Sequence, residues 1–174
     1  MIDFKCFWKE AFLLTFKWQM CLYNVHEDQY VSGSIHKFGN WEGHIVTEMI
    51  KTLQQFENST LLDIGGNIGY YTLAAASAGY PVNVFEPVPL NAAMIQQSIQ
   101  RNNFKNVKLH TTALSDTIGE LGMGTSVSNQ GGVKHLNKES LTMLPTFKLD
   151  LVLQPETYTT PTPRCVWIVS RVAP

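Results

Sequence analysis

Leu61-Leu62-Asp63-Ile64-Gly65-Gly66-Asn67-Ile68-Gly69 reads as a buried strand, a tight glycine turn and the start of a helix. Leu61, Leu62 and Ile64 supply the apolar run. Gly65, Gly66 and Gly69 let the backbone turn sharply and let a ligand approach it closely. The helix N-terminus that follows is rich in unpaired amides, the end at which α/β proteins hold nucleotide-like ligands.

The segments on either side extend this pattern. Upstream, Ile45, Met49, Ile50 and Leu53 give Trp41 to Phe56 a helical apolar face, and Asn58-Ser59 breaks it. The strand then covers Thr60 to Ile64. A helix from about Gly69 to Ala78 ends at Gly79 and Pro81. Val82-Asn83-Val84-Phe85 is a second strand ending at Glu86-Pro87, and Leu90 to Asn102 a helix with Met94, Ile95 and Ile99 as apolar contacts. Val107 to Thr112 reads as a third strand. Strands alternating with helices at this spacing predict an α/β fold with a parallel sheet and right-handed crossovers. Beyond Asp116 the order fades. Glu120 to Gly132 is rich in Gly, Ser and Thr. A weaker strand is expected at Leu149 to Leu153. The tail, with Pro155, Pro161, Pro163 and Pro174, reads as largely irregular, except that Cys165 to Val169 is apolar enough to form an edge strand.

A chain of 174 residues fits one domain or part of one. Its net charge of −1, with no Lys/Arg cluster, argues against nucleic acid as a partner. Cys6, Cys21 and Cys165 are odd in number and without paired spacing, which argues against a disulfide framework and a zinc site. His26-Glu27-Asp28 reads as a solvated turn, so no metal is expected. Phe4 to Tyr23 carries Phe4, Phe7, Trp8, Phe12, Phe16 and Trp18 but is broken by Lys5, Lys9, Glu10 and Lys17. A membrane span needs about 20 mostly apolar residues, so the expectation is an amphipathic helix packed on the domain, with an interfacial membrane helix as the alternative. No secretory signal is recognised there, and the cytoplasm is the default compartment. Asn58-Ser59-Thr60 matches a glycosylation acceptor, which matters only in a secreted chain.

Two ligand classes compete for the glycine turn. The dinucleotide pattern G-x-G-x-x-G would need glycines at Gly65, Asn67 and Tyr70, and two of these are missing. The chain has instead an acidic residue two places before the first glycine, followed by G-x-N-x-G. A carboxylate at Asp63 disfavours a diphosphate and suits a cationic amino group or sulfonium. Glu86, at the carboxyl end of the second strand, can accept hydrogen bonds from both hydroxyls of a ribose. A ribose with a positively charged tail describes S-adenosylmethionine. The plainer alternative is that Asp63 caps the turn and Glu86 merely precedes a helix. A dinucleotide-binding protein is the more distant reading.

The segment LLDIGGNIGYYTLAAASAGYPVNVFEPVPLNAAMIQQSIQRNNFKNVKLHTTALSD resembles the core of FkbM-type S-adenosylmethionine-dependent methyltransferases. The D-I-G-x-N-x-G turn, the F-E-P-V-P segment and the late A-L-S-D carry the resemblance. Val31-Ser32 to Phe38-Gly39-Asn40-Trp41-Glu42 is similar to that family's lead-in, so the likeness runs from about Tyr23 to Gly132. It implies a Rossmann-like class I methyltransferase sheet in a three-layer α/β/α arrangement. Asp63, Gly65, Asn67 and Gly69 would surround the methionine part of the cofactor, and Glu86 would hold the ribose. Leu114, with Ala113, would lie near the adenine, although packing explains those two equally well. Trp41 and Glu42 would help close the site, or Glu42 would start a helix. Asn129 to Gly132 resembles a loop near the pocket and reads as a plain turn. The implied chemistry is in-line methyl transfer to an oxygen, usually a hydroxyl of a sugar, glycan or other small molecule, with acceptor alignment as the main task of the protein. No catalytic residue is assigned. His110 and His135 are candidates by residue type alone.

The chain also departs from the family. A complete domain has seven strands and an acidic K-I-D-x-E-G-like motif at the end of strand four. Leu149-Asp150-Leu151-Val152-Leu153-Gln154-Pro155-Glu156 offers the apolar strand without that motif. The expected organisation is therefore an N-terminal amphipathic segment (1–22), a partial methyltransferase domain (23–154) and a Pro/Thr-rich tail (155–174), with the sheet incomplete after about strand four. Strand four would then be an exposed edge open to self-association, unless Cys165 to Val169 covers it. Two functions follow. One is a methyltransferase, and the other is a catalytically inactive form that binds cofactor or a partner without turnover.

Overall fold

The computed structural model describes residues 4–10, 16–126, 129–134, 142–148 and 166–170. An antiparallel hairpin opens the chain: β1 (Lys5–Glu10) pairs with β2 (Lys17–Leu22). Two helices follow, α1 (Val31–Phe38) and α2 (Gly43–Gln54). Then come β3 (Thr60–Ile64), α3 (Tyr70–Ser77), β4 (Val82–Phe85), α4 (Pro89–Asn102) and β5 (Val107–His110). The remaining strands are β6 (Ala113–Leu114), β7 (Gly119–Ser126), β8 (Asn129–Lys134), β9 (Thr142–Phe147) and β10 (Val166–Ser170).

The central sheet is parallel, in the order β10-β3-β4-β5. Numbered from β3, that is 3-2-1-4, the order of the Rossmann-type doubly wound fold. The expected α/β class and its first three strands are thus present. The strand expected at Leu149 to Leu153 lies outside the described residues. The tail is not wholly irregular: Val166 to Val169 of the expected apolar run, with Ser170, form β10, aligned with β3 from Val166↔Thr60 to Ser170↔Ile64. The chain therefore reverses its direction of strand addition between β3 and β10, which makes the end of β3 a topological switch point.

The core lies on one face of this sheet. Leu61, Val82 and Val84 pack with Leu73 and Ala74 of α3 and with Met94, Ile95 and Ile99 of α4. The run Ala74-Ala75-Ala76 is buried throughout, because α3 is covered on several sides at once. Its short side chains let the helix sit between the sheet and the N-terminal hairpin. Among the described residues no helix is long and apolar enough to cross a membrane.

Three expectations are corrected. The N-terminal segment is a β-hairpin, not an amphipathic helix. Trp18, Met20, Cys21 and Leu22 are all buried, so the alternation that runs from Lys17 to Met20 is lost at Cys21, where the second face of β2 is covered as well. Its free edge is satisfied by side chains of α4. Gln19 N–H donates to Asn102 Oδ1 (2.7 Å), Asn102 Nδ2 donates back to Gln19 O (2.7 Å), and Cys21 N–H donates to Ser98 Oγ (3.1 Å). The hairpin also places Cys6 directly opposite Cys21, and the two form a disulfide that the odd cysteine count had argued against. Finally, within the stretch expected to be irregular, Glu120 to Ser126 belong to β7 and Asn129 to Gly132 to β8, in a sheet of order β6-β9-β7-β8. The third strand stops at His110, and Ala113-Leu114 joins this second sheet as β6, parallel to β9.

Candidate functional site

The glycine turn leaves the carboxyl end of β3 and leans over β4. Gly65 N–H (2.8 Å) and Gly66 N–H (3.0 Å) both donate to Phe85 O, the last carbonyl of β4. Gly69 N–H donates to Gly66 O (2.7 Å) and closes the turn. A Cβ at Gly66 would lie 2.3 Å from Val84 Cγ2, so only glycine lets the turn settle against β4. Gly69 caps α3 with φ +90° and would press a Cβ to 3.0 Å from Ile95 Cγ1. Asn67 between them is also left-handed (φ +52°), a conformation asparagine tolerates better than most residues. Its Oδ1 accepts the N–H of Ile68 (2.7 Å).

The two acidic residues lie beneath this turn. Asp63 is 1% exposed, and its Oδ2 accepts the Thr72 hydroxyl of α3 at 2.6 Å. The same oxygen is 3.6 Å from where a Cβ on Gly66 would sit, so the carboxylate underlies the turn. Glu86 is 4% exposed. Its Oε2 accepts Asn67 N–H (2.7 Å), and its Oε1 accepts Val88 N–H (2.9 Å) and Asn91 Nδ2–H (3.2 Å). One carboxylate thus joins the glycine turn to the start of α4.

Asn91 is oriented by a further residue. The Tyr23 hydroxyl donates to Asn91 Oδ1 at 2.6 Å, leaving the amide nitrogen to face Glu86. Tyr23 is itself held far above the usual phenol range by burial, then by the charges of Glu86, Asp28 and Glu27, so it stays a donor. Burial raises the Glu86 pKa to about 7, against the lowering effect of hydrogen bonds from Val88, Asn67 and Asn91; the nearby Asp63 charge adds to the rise.

The expected site residues separate into two groups. Asp63, Gly65, Asn67, Gly69 and Glu86 come together at the carboxyl ends of β3 and β4. Leu114 is partly buried on β6, where it pairs with Phe147 of β9 in the second sheet. Glu42 is the N-cap residue of α2 (φ +48°), in line with a helix start, but its carboxylate does not cap that helix. Glu42 Oε2 accepts the Tyr71 hydroxyl (2.5 Å), which binds the lead-in segment to the first turn of α3. The Tyr70 hydroxyl meets the Trp41 backbone in the same region. His110 stacks flat on Phe85 (4.5 Å, 7°) with Nε2 3.3 Å from Asn83 Oδ1. Burial and then Lys108 hold its pKa below the ordinary histidine value, which favours the neutral ring. His135 and the strand-four region at 149–156 lie outside the described residues. Thr72, Asn91 and Tyr23 were not foreseen. For Thr72 a local signal existed: it is the one hydroxyl inside the run Tyr70-Tyr71-Thr72-Leu73-Ala74-Ala75-Ala76 that is not a phenol.

A helix N-terminus, a glycine turn whose amides bond Phe85 O, and two buried carboxylates thus gather at the carboxyl ends of β3 and β4, beside the switch point. Among the described residues no group of three His, Cys, Asp or Glu side chains could hold a metal ion.

No family model and no curated protein matches the chain. Among solved structures, it is similar to a precorrin-6y C5,15-methyltransferase from Geobacter metallireducens GS-15 (15% identity, TM-score 0.35), over 41% of this chain and 38% of that one. It is also similar to a SAM-dependent methyltransferase from Agrobacterium tumefaciens (10% identity, TM-score 0.46), over 65% of this chain and 34% of that one. The chain thus spans little more than a third of either protein. At these identities and scores the likeness carries no argument about ligand or activity, and the fold assignment rests on the strand order above.

Proposed function

We propose that the chain is an S-adenosylmethionine-dependent methyltransferase of the FkbM type, acting on a hydroxyl of a sugar, glycan or small metabolite. The observation that carries this reading is the pair of buried carboxylates, Asp63 and Glu86, at the ends of adjacent parallel strands beneath one glycine turn. Glu86 would receive the ribose hydroxyls. Asp63, Gly65, Asn67 and Gly69 would frame the methionine end, with Asp63 supplying negative charge near the sulfonium. Leu114 would contact the adenine.

The donor set fits such a ligand. A carboxylate has about four acceptor positions, and Asn67, Val88 and Asn91 use three of those on Glu86. One ribose hydroxyl can add directly, and the second takes the place of a donor such as the Asn67 amide. The bound cofactor supplies an already activated methyl group. The task left to the protein is to exclude water and hold the acceptor oxygen in line, with reacting atoms about 3–3.5 Å apart.

Calorimetry with S-adenosylmethionine and S-adenosylhomocysteine tests the cofactor assignment. Release of S-adenosylhomocysteine across a panel of sugars and small hydroxyl compounds tests turnover. Unchanged binding in Asp63→Ala and Glu86→Ala would sink the site assignment. Binding without turnover on any acceptor would identify the inactive cofactor binder instead.

A further inference from the structure

We infer that Asn58 is an N-glycosylation site on a chain that folds in the secretory pathway, in place of the cytoplasmic default. Asn58-Ser59-Thr60 is the one Asn-x-Ser/Thr acceptor in the 174-residue sequence. The structure sets it in the turn between α2 and β3. Asn58 is exposed and left-handed (φ +58°), flanked by the exposed Phe56 and Glu57. The Ser59 hydroxyl donates to Phe56 O at 2.8 Å and pins the turn. Ser59 and Thr60 are buried as β3 begins. That burial is compatible with modification of the nascent chain. The acceptor triplet has to be accessible only before β3 pairs, whereas Asn58 has to stay outside afterwards, and it does.

A second, independent observation points to the same compartment. Cys6 and Cys21, 15 residues apart, face each other across β1 and β2 as a disulfide. Such a bond forms and persists where thiols are oxidised, as in the endoplasmic reticulum and outside the cell. A sequon alone arises often by chance. A sequon on an exposed turn in a chain that also aligns a cysteine pair is a more specific combination.

The position also leaves the ligand site open. Asn58 precedes β3, and the glycine turn follows it. The five residues of β3, at about 3.3 Å each, put roughly 16 Å of strand between the two. A glycan on Asn58 would therefore project from the amino end of the parallel sheet, away from Asp63 and Glu86.

The co-reactant is a lipid-linked oligosaccharide diphosphate. The Asn58 side-chain nitrogen attacks sugar C1, a C1–N bond forms as the C1–O bond to diphosphate breaks, the amide loses one proton, and the lipid diphosphate leaves.

The test is expression of the full chain in cultured eukaryotic cells, followed by peptide-N-glycosidase and mass spectrometry. The expected result is a discrete mass step that the enzyme removes, leaving Asp at position 58. Asn58→Asp, which still tolerates the left-handed turn, and Thr60→Val, which keeps the volume and leaves Asn58 in place, should both lose the step. Thr60→Ser should retain it. In the same preparation, unreduced digests should contain Cys6 and Cys21 peptides joined. An untreated chain with no enzyme-sensitive mass, a step that survives Asn58→Asp, or free thiols at both cysteines would overturn the inference.

Discussion

Glu86 makes a quantitative prediction about ligand binding and pH. Its carboxyl is buried beneath the glycine turn, and its pKa is raised from 4.5 to about 7. Burial disfavours the ionised form, and the charge of Asp63 adds to this, against three hydrogen-bond donors that favour it. In the ligand-free protein about one molecule in ten is ionised at pH 6 and about nine in ten at pH 8. On the proposed reading a ribose diol would donate to Glu86 and so select the carboxylate. Apparent affinity scales with the competent fraction, so S-adenosylhomocysteine should bind about tenfold more weakly at pH 6 than at pH 8. Calorimetry in buffers of differing ionisation heat should report about half a proton released per ligand at pH 7. Glu86→Gln should bind weakly with no such dependence. The same shift sets the sign of the stability profile. Between pH 4.5 and 7 the folded carboxyl holds a proton that the unfolded one has lost. Stability therefore falls across that window, by about 3 kcal/mol in total, and is flat above it. Glu86→Gln should remove the fall, at a pH-independent cost because its amide nitrogen must face an N–H donor that the carboxylate accepts. A wild-type affinity that is flat from pH 6 to 8, or a slope that persists in Glu86→Gln, would refute the reasoning.

Three further outcomes follow from the geometry. Gly66→Ala places a methyl 2.3 Å from Val84 Cγ2 and should destabilise by about 1–3 kcal/mol; a wild-type urea midpoint would contradict the close approach of the turn to β4. Asn102→Ala strips both the acceptor of Gln19 N–H and the donor to Gln19 O, and it should cost about 1–3 kcal/mol with faster amide exchange in β2. Unchanged exchange there would mean that α4 does not hold the hairpin. Thr72→Val keeps the shape of the side chain but removes a hydroxyl donor from the buried Asp63 side chain; a loss of about 1.5–3 kcal/mol is expected in denaturant titration. Equal midpoints for this variant and the wild type would mean that Asp63 does not depend on Thr72.

The parts of the fold visible in the sequence are those whose signals are local. β3 and β4 are short apolar runs bounded by glycine, proline or asparagine, and both begin and end where the pattern expects. Asp63 and Glu86 are legible for the same reason, since counting along each strand puts them at its carboxyl end. The groups that hold those carboxylates are not local. Thr72, Asn91 and Tyr23 come from α3, α4 and the segment after β2, and only packing brings them to one place. The hairpin is hidden for a related reason. Burial of Cys21 and Leu22 cuts the period-two signal of β2 short after Lys17 to Met20, and its edge is satisfied by Asn102 and Ser98, 83 and 77 residues away. The cysteine pair then becomes visible only through the hairpin register. β10 completes the argument. Its apolar run is evident in the sequence, but its neighbour is not, because a parallel partner can lie anywhere along the chain. Alignment with β3 turns a three-strand ladder into a 3-2-1-4 sheet and creates the switch point beside the glycine turn, which itself leans over β4. The switch point beside Asp63 thus depends on residues 166–170, which lie far along the chain and set Val169 opposite Asp63.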